Sequence, residues 1–421
     1  MKEYFFDCVV IGGGAAGMAA ALEVEKSGFK VAVVEREECL GGILLQCIHN
    51  GFGLHEFKEE LTGPEYGERF ADMVDDSDVT VFLESTVMEL SESGDNPDTH
   101  EVCCYSSVYG VFLLRARTVI LAMGCRERNR GNIGIPGTRP AGIMTAGLAQ
   151  RLVNVDGYIP GKDIVIIGSG DIGLIMARRM TWAGCKVHAV IEIQPYPSGI
   201  TRNIVQCLED FDIPLYLSHV VSEIRGKDRI ESIKVTPLKD GAQDDENSFD
   251  IKCDTLLLSV GLVPENELSR KAGILLNPQG NGPYVDSYHM TNRKGIFACG
   301  NVLHVHDLVD YVTGESRSAG SSAVKYLQSK LSGRQGNVKS GSNVRYVVPQ
   351  KFNFSEDNRF YMRSMIVKNG AKVEVKVNNS IIKSVNHSHI QPSEMISIVL
   401  KKEEISKIAA MPDPQLEISI T

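Results

Sequence analysis

The sequence predicts an α/β chain in which one β-α-β unit is used twice and a small β-rich module follows. Three observations carry this. Residues 7–34 (DCVVIGGGAAGMAAALEVEKSGFKVAVV) align without gaps at an offset of 156 with residues 163–190 (DIVIIGSGDIGLIMARRMTWAGCKVHAV). At 421 residues the chain exceeds what one hydrophobic core supports. From residue 344 onward the long apolar runs give way to short alternating ones, the pattern of half-buried strands.

Each copy of the repeat begins with an apolar run fit for a strand buried on both faces (residues 9–11 and 164–167) and then turns through G-x-G-x-x-G. A helix of about three turns follows in each. It stops at Gly28 or Gly184, where a helix C-terminus calls for positive φ. The next strand ends on an acid, Glu35 in VVERE and Glu192 in VIEIQ. This is the layout of two Rossmann-like dinucleotide-binding domains. The first glycine (Gly12, Gly168) makes the tight turn, and the second (Gly14, Gly170) lets backbone approach a pyrophosphate. The third (Gly17, Gly173) lets helix and strand pack closely, and the acid accepts from ribose hydroxyls.

Composition excludes several alternatives. A net charge of -9 with no Lys/Arg run argues against nucleic acid and anionic membrane as partners. The apolar run 8–22 has the length of a signal-peptide core, but Glu3 and Asp7 stand where a basic flank belongs. The expectation is therefore a cytoplasmic, uncleaved start with no membrane insertion. Ten cysteines are dispersed with no C-x-x-C, which removes thioredoxin-type redox pairs, zinc ribbons and ferredoxin-type ligand sets.

Further landmarks flank the repeat: Gly41-Gly42, TVILAMG ending at Gly124, TLLLSVG ending at Gly261, and GIFACGN ending at Asn301. With them the chain resembles, over residues 5–330, the two-dinucleotide-domain flavoprotein oxidoreductases, the superfamily of disulfide reductases and NADH oxidases. The resemblance implies an FAD domain (1–125 and 262–332) interrupted by an NAD(P) domain (126–261). FAD contacts would come from Gly12, Gly14, Ala16, Gly17, Glu35, Arg36, Gly41, Gly42, Val87, Gly124, Gly300, Asn301 and Ala319. Gly168, Gly170, Asp171, Ile172, Gly173, Glu192 and Gly261 would hold the nicotinamide dinucleotide. Two positions depart from the pattern. Asn301 replaces the acid that relatives place on the flavin ribityl chain, and Ile175 stands where relatives often carry Glu. The helix expected from about Ser318 would aim its N-terminus at the flavin edge, favouring the anionic reduced form.

In the second site Glu192 selects NAD over NADP. A carboxylate about 4 Å from a 2′-phosphate costs about 4 kcal/mol at an effective dielectric near 20. NADP would need compensating cations, for which Arg178, Arg179 and Arg202 are the candidates.

The electron partner rests on resemblance. The stretches 139–154, 168–181 and 300–310 look like the flavoproteins associated with FAD-dependent glycerol 3-phosphate dehydrogenases, with opine oxidase and cyanide synthase subunits as more distant kin. This implies a partner flavoprotein dehydrogenase and leaves a homo-oligomer open. Residues 41–66 lie where disulfide reductases carry a flavin-facing Cys pair, but here only Cys47 is central. It is either a redox thiol, as in the NADH peroxidase branch, or a small packed residue. His304 and His306, with Asp307 and Asp310, form the densest titratable group. They stand as proton-relay or hydrogen-bonding candidates; no metal site is assigned, because no remote ligand is evident. His49 and His55 share the same two readings. Residues 333–343 are expected to be a linker and 344–421 a small antiparallel β-sandwich that docks partners.

Glu35→Ala is expected to lower the ratio of bound flavin to protein. Glu192→Ala should spare it, weaken NADH binding and narrow the discrimination against NADPH. Absorbance and nucleotide titration read both, and a Glu35→Ala effect confined to NADH would reverse the assignment of the two sites.

Overall fold

The strand at residues Lys2–Ile11 is buried along its second half because it lies inside a parallel sheet, between Val31–Val34 and Gly110–Leu121. The computed structural model describes every residue except Asn379, Ala410, Pro412 and Asp413. It divides into two compact units, one of residues 1–125 with 264–421 and one of residues 126–263.

In the first unit, Thr80–Phe82 extends the parallel sheet beyond Val31–Val34. Ile296–Ala298 pairs in parallel with the end of Gly110–Leu121, Ile296 opposite Val119. Two antiparallel strands, His100–Ser106 and Ser85–Glu92, continue from the first half of Gly110–Leu121. The helix Ala15–Glu25 covers one face. Its alanines let the helix Val309–Leu327 come close, burying Ala19, Ala20, Ala319 and Ala323 together. Gly320 sits at that crossing, where a Cβ would stand 2.8 Å from the Ala20 carbonyl oxygen. The long helix begins at Val309, nine residues before the Ser318 start expected from sequence. The Thr-Gly-Glu-Ser-Arg-Ser composition of its first half hid a helix that tertiary contacts fix.

The second unit repeats the design with five parallel strands in the order Ile143–Thr145, Thr255–Leu258, Asp163–Ile167, Lys186–Glu192 and Leu215–Leu217. The helix Asp171–Trp182 packs on them through Leu174, Met176, Ala177 and Met180. An antiparallel meander of His219–Gly226, Ile230–Lys239 and Phe249–Lys252 completes the unit.

The C-terminal module differs from expectation. The β-patterned runs at 344–348, 359–367, 372–377, 380–385, 395–400 and 416–420 all contribute strands, but residues Gln335–Ser340, assigned to the linker, and Lys351–Asn353 form two more. The strand Gln335–Ser340 pairs in parallel with Leu416–Ile420, Val338 opposite Leu416, so the module is not purely antiparallel. The polar run QGNVKS gave no periodic signal; one inward residue, Val338, is buried, and ladder hydrogen bonding supplies the rest. A short helix, Lys402–Ala409, was also not anticipated; Ile405 and Ile408 bury it in the module's core. Nor is the module detached. Tyr346 and Val348 share a core with Val285 and Leu303. Gln350 accepts from the Val285 amide at 2.9 Å, and its own amide donates to the Val285 carbonyl at 3.1 Å. Arg363 donates to the Val305 carbonyl at 2.9 Å and to Asp307 at 2.5 Å, also reaching the Ser393 carbonyl.

Among the described residues no helix is long and apolar enough to cross a membrane.

Arg363→Ala strips three acceptors of a largely buried cation, a loss of about 2 kcal/mol once the partial exposure of Asp307 is allowed for. Thermal unfolding should show a fall in Tm of a few degrees, and limited proteolysis should release fragments of the C-terminal module earlier than in wild type. An unchanged melting curve would mean that this anchor holds nothing.

Candidate functional site

The first glycine-rich turn has the stereochemistry that a bound pyrophosphate requires. Gly12 holds φ 107°, and a Cβ there would stand 2.5 Å from the Ala122 carbonyl oxygen. Gly17 packs so tightly on the Gly12 carbonyl that any side chain collides. Around Gly14 a Cβ would meet nothing within 4 Å, and the helix Ala15–Glu25 that starts there has no side-chain cap. Its first amides are thus left for an anion. Glu35, buried at the end of its strand, takes the Gly13 amide at 2.6 Å and the Glu37 amide at 2.9 Å. A carboxylate has capacity beyond those two bonds for ribose hydroxyls. Gly41 donates to the Gly13 carbonyl at 2.9 Å, and a Cβ on Gly42 would lie 3.2 Å from the Gly14 Cα, so the Gly41-Gly42 pair closes on the turn. Arg36 is exposed beside Glu37, and Val87 packs on the core beneath the sheet. Gly124 adopts φ 72° with open space about its α-carbon. These residues fit FAD, whose isoalloxazine, when bound, accepts hydride and releases electrons singly or in pairs.

The second turn matches the first. Gly168 (φ 96°) faces the Ser259 carbonyl with no room for a Cβ, Gly173 is packed on Gly168, and Gly170 is open. Glu192 accepts from Ser169 through its amide at 2.9 Å and its hydroxyl at 2.6 Å, and from the Gln194 amide at 2.9 Å. Asp171 accepts from the Ile200 amide at 3.0 Å and the Asn203 amide group at 2.7 Å, pinning the following loop to the helix start. Ile172 remains partly exposed on the first turn, and Gly261 holds φ 98° in open space. Arg178 lies over the Trp182 ring and Arg179 donates to Asn154 at 2.6 Å, so both have local roles.

Residues 41–66 are bolted to the N-terminal half of the long helix. The buried Asp310 carboxylate accepts from the amides of Gly53, His55 and Glu56 at 3.3, 3.2 and 2.8 Å. Arg317 pairs with Glu56, Tyr66 shares a 2.7 Å hydrogen bond with Thr313, and His55 stacks on Tyr311. His49 bonds its neighbour's carbonyl and leans on Phe52. No two of the ten cysteines are joined in a disulfide. Cys47 keeps some solvent contact, yet the packing around it pushes its thiol up to about 11; Sγ donates to the Ile43 carbonyl at 3.3 Å.

Gly300 (φ 71°) approaches Ala16 so closely that a Cβ would lie 2.8 Å from the alanine methyl. Ala319 is buried in the same core. Asn301 accepts from the His306 amide at 3.0 Å and donates to the Cys125 sulfur at 3.7 Å, so the residue standing in for the usual acid organises its own loop.

His304 and His306 have side chains with no solvent exposure, and the structure supplies the remote partner that the sequence did not reveal. Glu315 lies 2.6 Å from His304 Nε2 and 3.2 Å from His306 Nε2, and accepts from the Gly300 amide at 2.7 Å. Burial depresses His304 to about 4, keeping the ring neutral. Burial alone would raise Glu315, but the two facing imidazoles outweigh it and hold the carboxyl well below its usual range. Glu315 was missed because it reads in sequence as one acid in a polar helix.

Comparison with known proteins adds four findings. Residues 6–324 match the model of the pyridine nucleotide-disulphide oxidoreductase family. An opine oxidase subunit of Agrobacterium tumefaciens is 27% identical over 316 residues, 70% of this chain and 61% of that one. An alkyl hydroperoxide reductase subunit of Pseudomonas aeruginosa is 27% identical over 329 residues, 76% of this chain and 58% of that one. The chain therefore spans about three fifths of the length of these relatives. The T. acidophilum thioredoxin reductase structure superposes with a TM-score of 0.63 at 23% identity, covering 77% of this chain and 99% of its own, which speaks for the fold alone. Two glycine-rich turns with their buried acids, in a chain matched from residue 6 to 324, make it a member of the pyridine nucleotide-disulphide oxidoreductase family, enzymes that use FAD and a pyridine nucleotide.

Proposed function

We propose that the chain is an NAD-linked FAD oxidoreductase that exchanges electrons directly with a partner flavoprotein dehydrogenase, without a thiol intermediate. The observation that carries this is Cys47. Its thiol is pushed up to about 11, and the sequence offers no C-x-x-C pair in its place. At neutral pH such a thiol is almost wholly protonated, whereas the nucleophile in disulfide or peroxide chemistry is the thiolate. In this reading the family's flavin and nucleotide framework works without a C-x-x-C thiol pair.

NAD rather than NADP is supported by Glu192 at the strand end and by the local engagement of Arg178 and Arg179. A partner is supported by relatives that are named as components of larger enzymes, one of opine oxidase and one of the hydrogen cyanide synthase of Pseudomonas protegens. Glycerol 3-phosphate as the partner's substrate rests on the resemblance of the stretches 139–154, 168–181 and 300–310. In this reading His304, His306 and Asn301 hold the flavin-side loop in place. Asp310 ties residues 53–56 to the start of the long helix.

Anaerobic titration with NADH should bleach the flavin in wild type and equally in Cys47→Ser, and both should retain partner-dependent turnover. A Cys47→Ser protein that reduces its flavin but loses peroxide or disulfide reduction would replace this reading with a self-contained peroxidase; a flavin that never bleaches would leave only a structural role for FAD.

The thiol also gives a pH prediction. Because burial pushes the Cys47 thiol up to about 11, its alkylation by iodoacetamide, followed by peptide mass spectrometry, should stay slow from pH 6 to about 9 and climb only above that. Rapid labelling at pH 7, or labelling that appears on NADH reduction, would return the thiol to the mechanism.

A further inference from the structure

We propose that His304, His306 and Glu315 form a site for one divalent transition-metal ion of the zinc type. The three residues come from an extended i, i+2 pair and a helix position well beyond it, and their donor atoms all lie within 4.8 Å of one another. All three side chains have zero solvent exposure. A hydrogen-bonded triad accounts for only part of what is there. The His304 Nε2 to Glu315 contact at 2.6 Å is a good hydrogen bond. His306, however, has neither ring nitrogen in a hydrogen bond, and His304 Nδ1 also lacks a partner. A buried nitrogen without a partner is costly, and a cation that accepts the lone pair of His306 Nε2 removes that cost at this atom.

The geometry suits a small ion. Zinc bonds of about 2.0–2.2 Å in a tetrahedron place neighbouring ligand atoms about 3.3 Å apart. His306 Nε2 and Glu315 Oε1 already stand at 3.2 Å, and the 2.6 Å pair would open by a few tenths of an ångström as the ion replaces the shared proton. Two imidazoles with one carboxylate select zinc or a neighbouring first-row ion over calcium or magnesium, which take all-oxygen sets. The outer shell is built as well: the Gly300 amide donates to Glu315 at 2.7 Å, and the Tyr361 and Tyr346 rings of the C-terminal module cover His304 at 5.3 and 6.3 Å. His289, fully buried, has its own Nδ1 without a partner and lies within electrostatic reach of Glu315 and His306. The ion would staple the loop that carries His304 and His306 to Glu315 on the long helix. This role does not depend on which electron partner the enzyme serves.

The test is metal analysis of the full chain, expressed with zinc supplementation, freed of any affinity tag and passed over a desalting column. Wild type should carry roughly one zinc per chain, and His306→Gln less than about a tenth of that. If the variant fails to fold, the wild-type protein alone decides the matter. Removal of its metal with dipicolinate should lower Tm and loosen FAD, one equivalent of zinc should restore both, and cobalt in its place should give visible d–d bands. Wild type that retains no zinc after loading, or a folded His306→Gln that retains the wild-type amount, would overturn the proposal and leave a hydrogen-bonded triad only.

Discussion

A buried carboxylate at the end of one strand holding the amides of the preceding glycine-rich turn is the constraint on which both halves of this protein depend. Glu35 takes the Gly13 amide and Glu192 takes Ser169, each across 22 or 23 residues of chain. Without the acid, a turn of residues chosen for lack of side chains has little to fix it, since glycine loses more conformational freedom on ordering than any other residue. With it, turn, helix start and second strand become one rigid object, and the open space beside Gly14 and Gly170 has a defined shape before any nucleotide arrives. Preorganisation of this kind is what lets a phosphate be bound by backbone alone.

The parts legible in the sequence were those whose chemistry is local. The two G-x-G-x-x-G turns, the acids after them and the helix-ending glycines at 28 and 184 are dictated by short-range stereochemistry: Gly12, Gly168, Gly28 and Gly184 hold positive φ, Gly17 and Gly173 touch backbone, and Gly14 and Gly170 are left open. What escaped depends on residues far apart. The first nine residues of the helix Val309–Leu327 look like a loop because Thr313, Gly314, Glu315 and Ser316 are poor or polar helix residues, yet all but Gly314 are buried against other segments. The strand Gln335–Ser340 has one buried apolar residue, and no periodicity betrays a strand that pairing alone recruits. Glu315 escaped for the same reason: nothing near it in sequence shows that His304 and His306 face it.

The segment 53–56 shows how polar residues can be as firm as a hydrophobic core when their bonding is complete. Asp310 accepts three amides and Glu56 pairs with Arg317, so residues 53–56 are held by several charge-assisted contacts. In the same unit Asn301 stands where relatives carry an acid. Its amide bridges the His306 backbone and the Cys125 sulfur, a pair of contacts, one accepted and one donated, that a carboxylate could not make.

The pairing of Ile296–Ala298 with Val119–Leu121 places a whole unit of residues 126–263 between two strands that lie side by side. As the chain leaves the ribosome, the first unit therefore waits with an incomplete sheet while the inserted one emerges with every strand it needs, in one contiguous stretch. The later unit in sequence is the earlier one able to close, because the loop that the outer sheet must span includes all of it. The edge of Gly110–Leu121 beside residues 119–121 stays open throughout that interval, an apolar edge of Val119, Ile120 and Leu121 that is sealed only when the strand Ile296–Ala298 has been made.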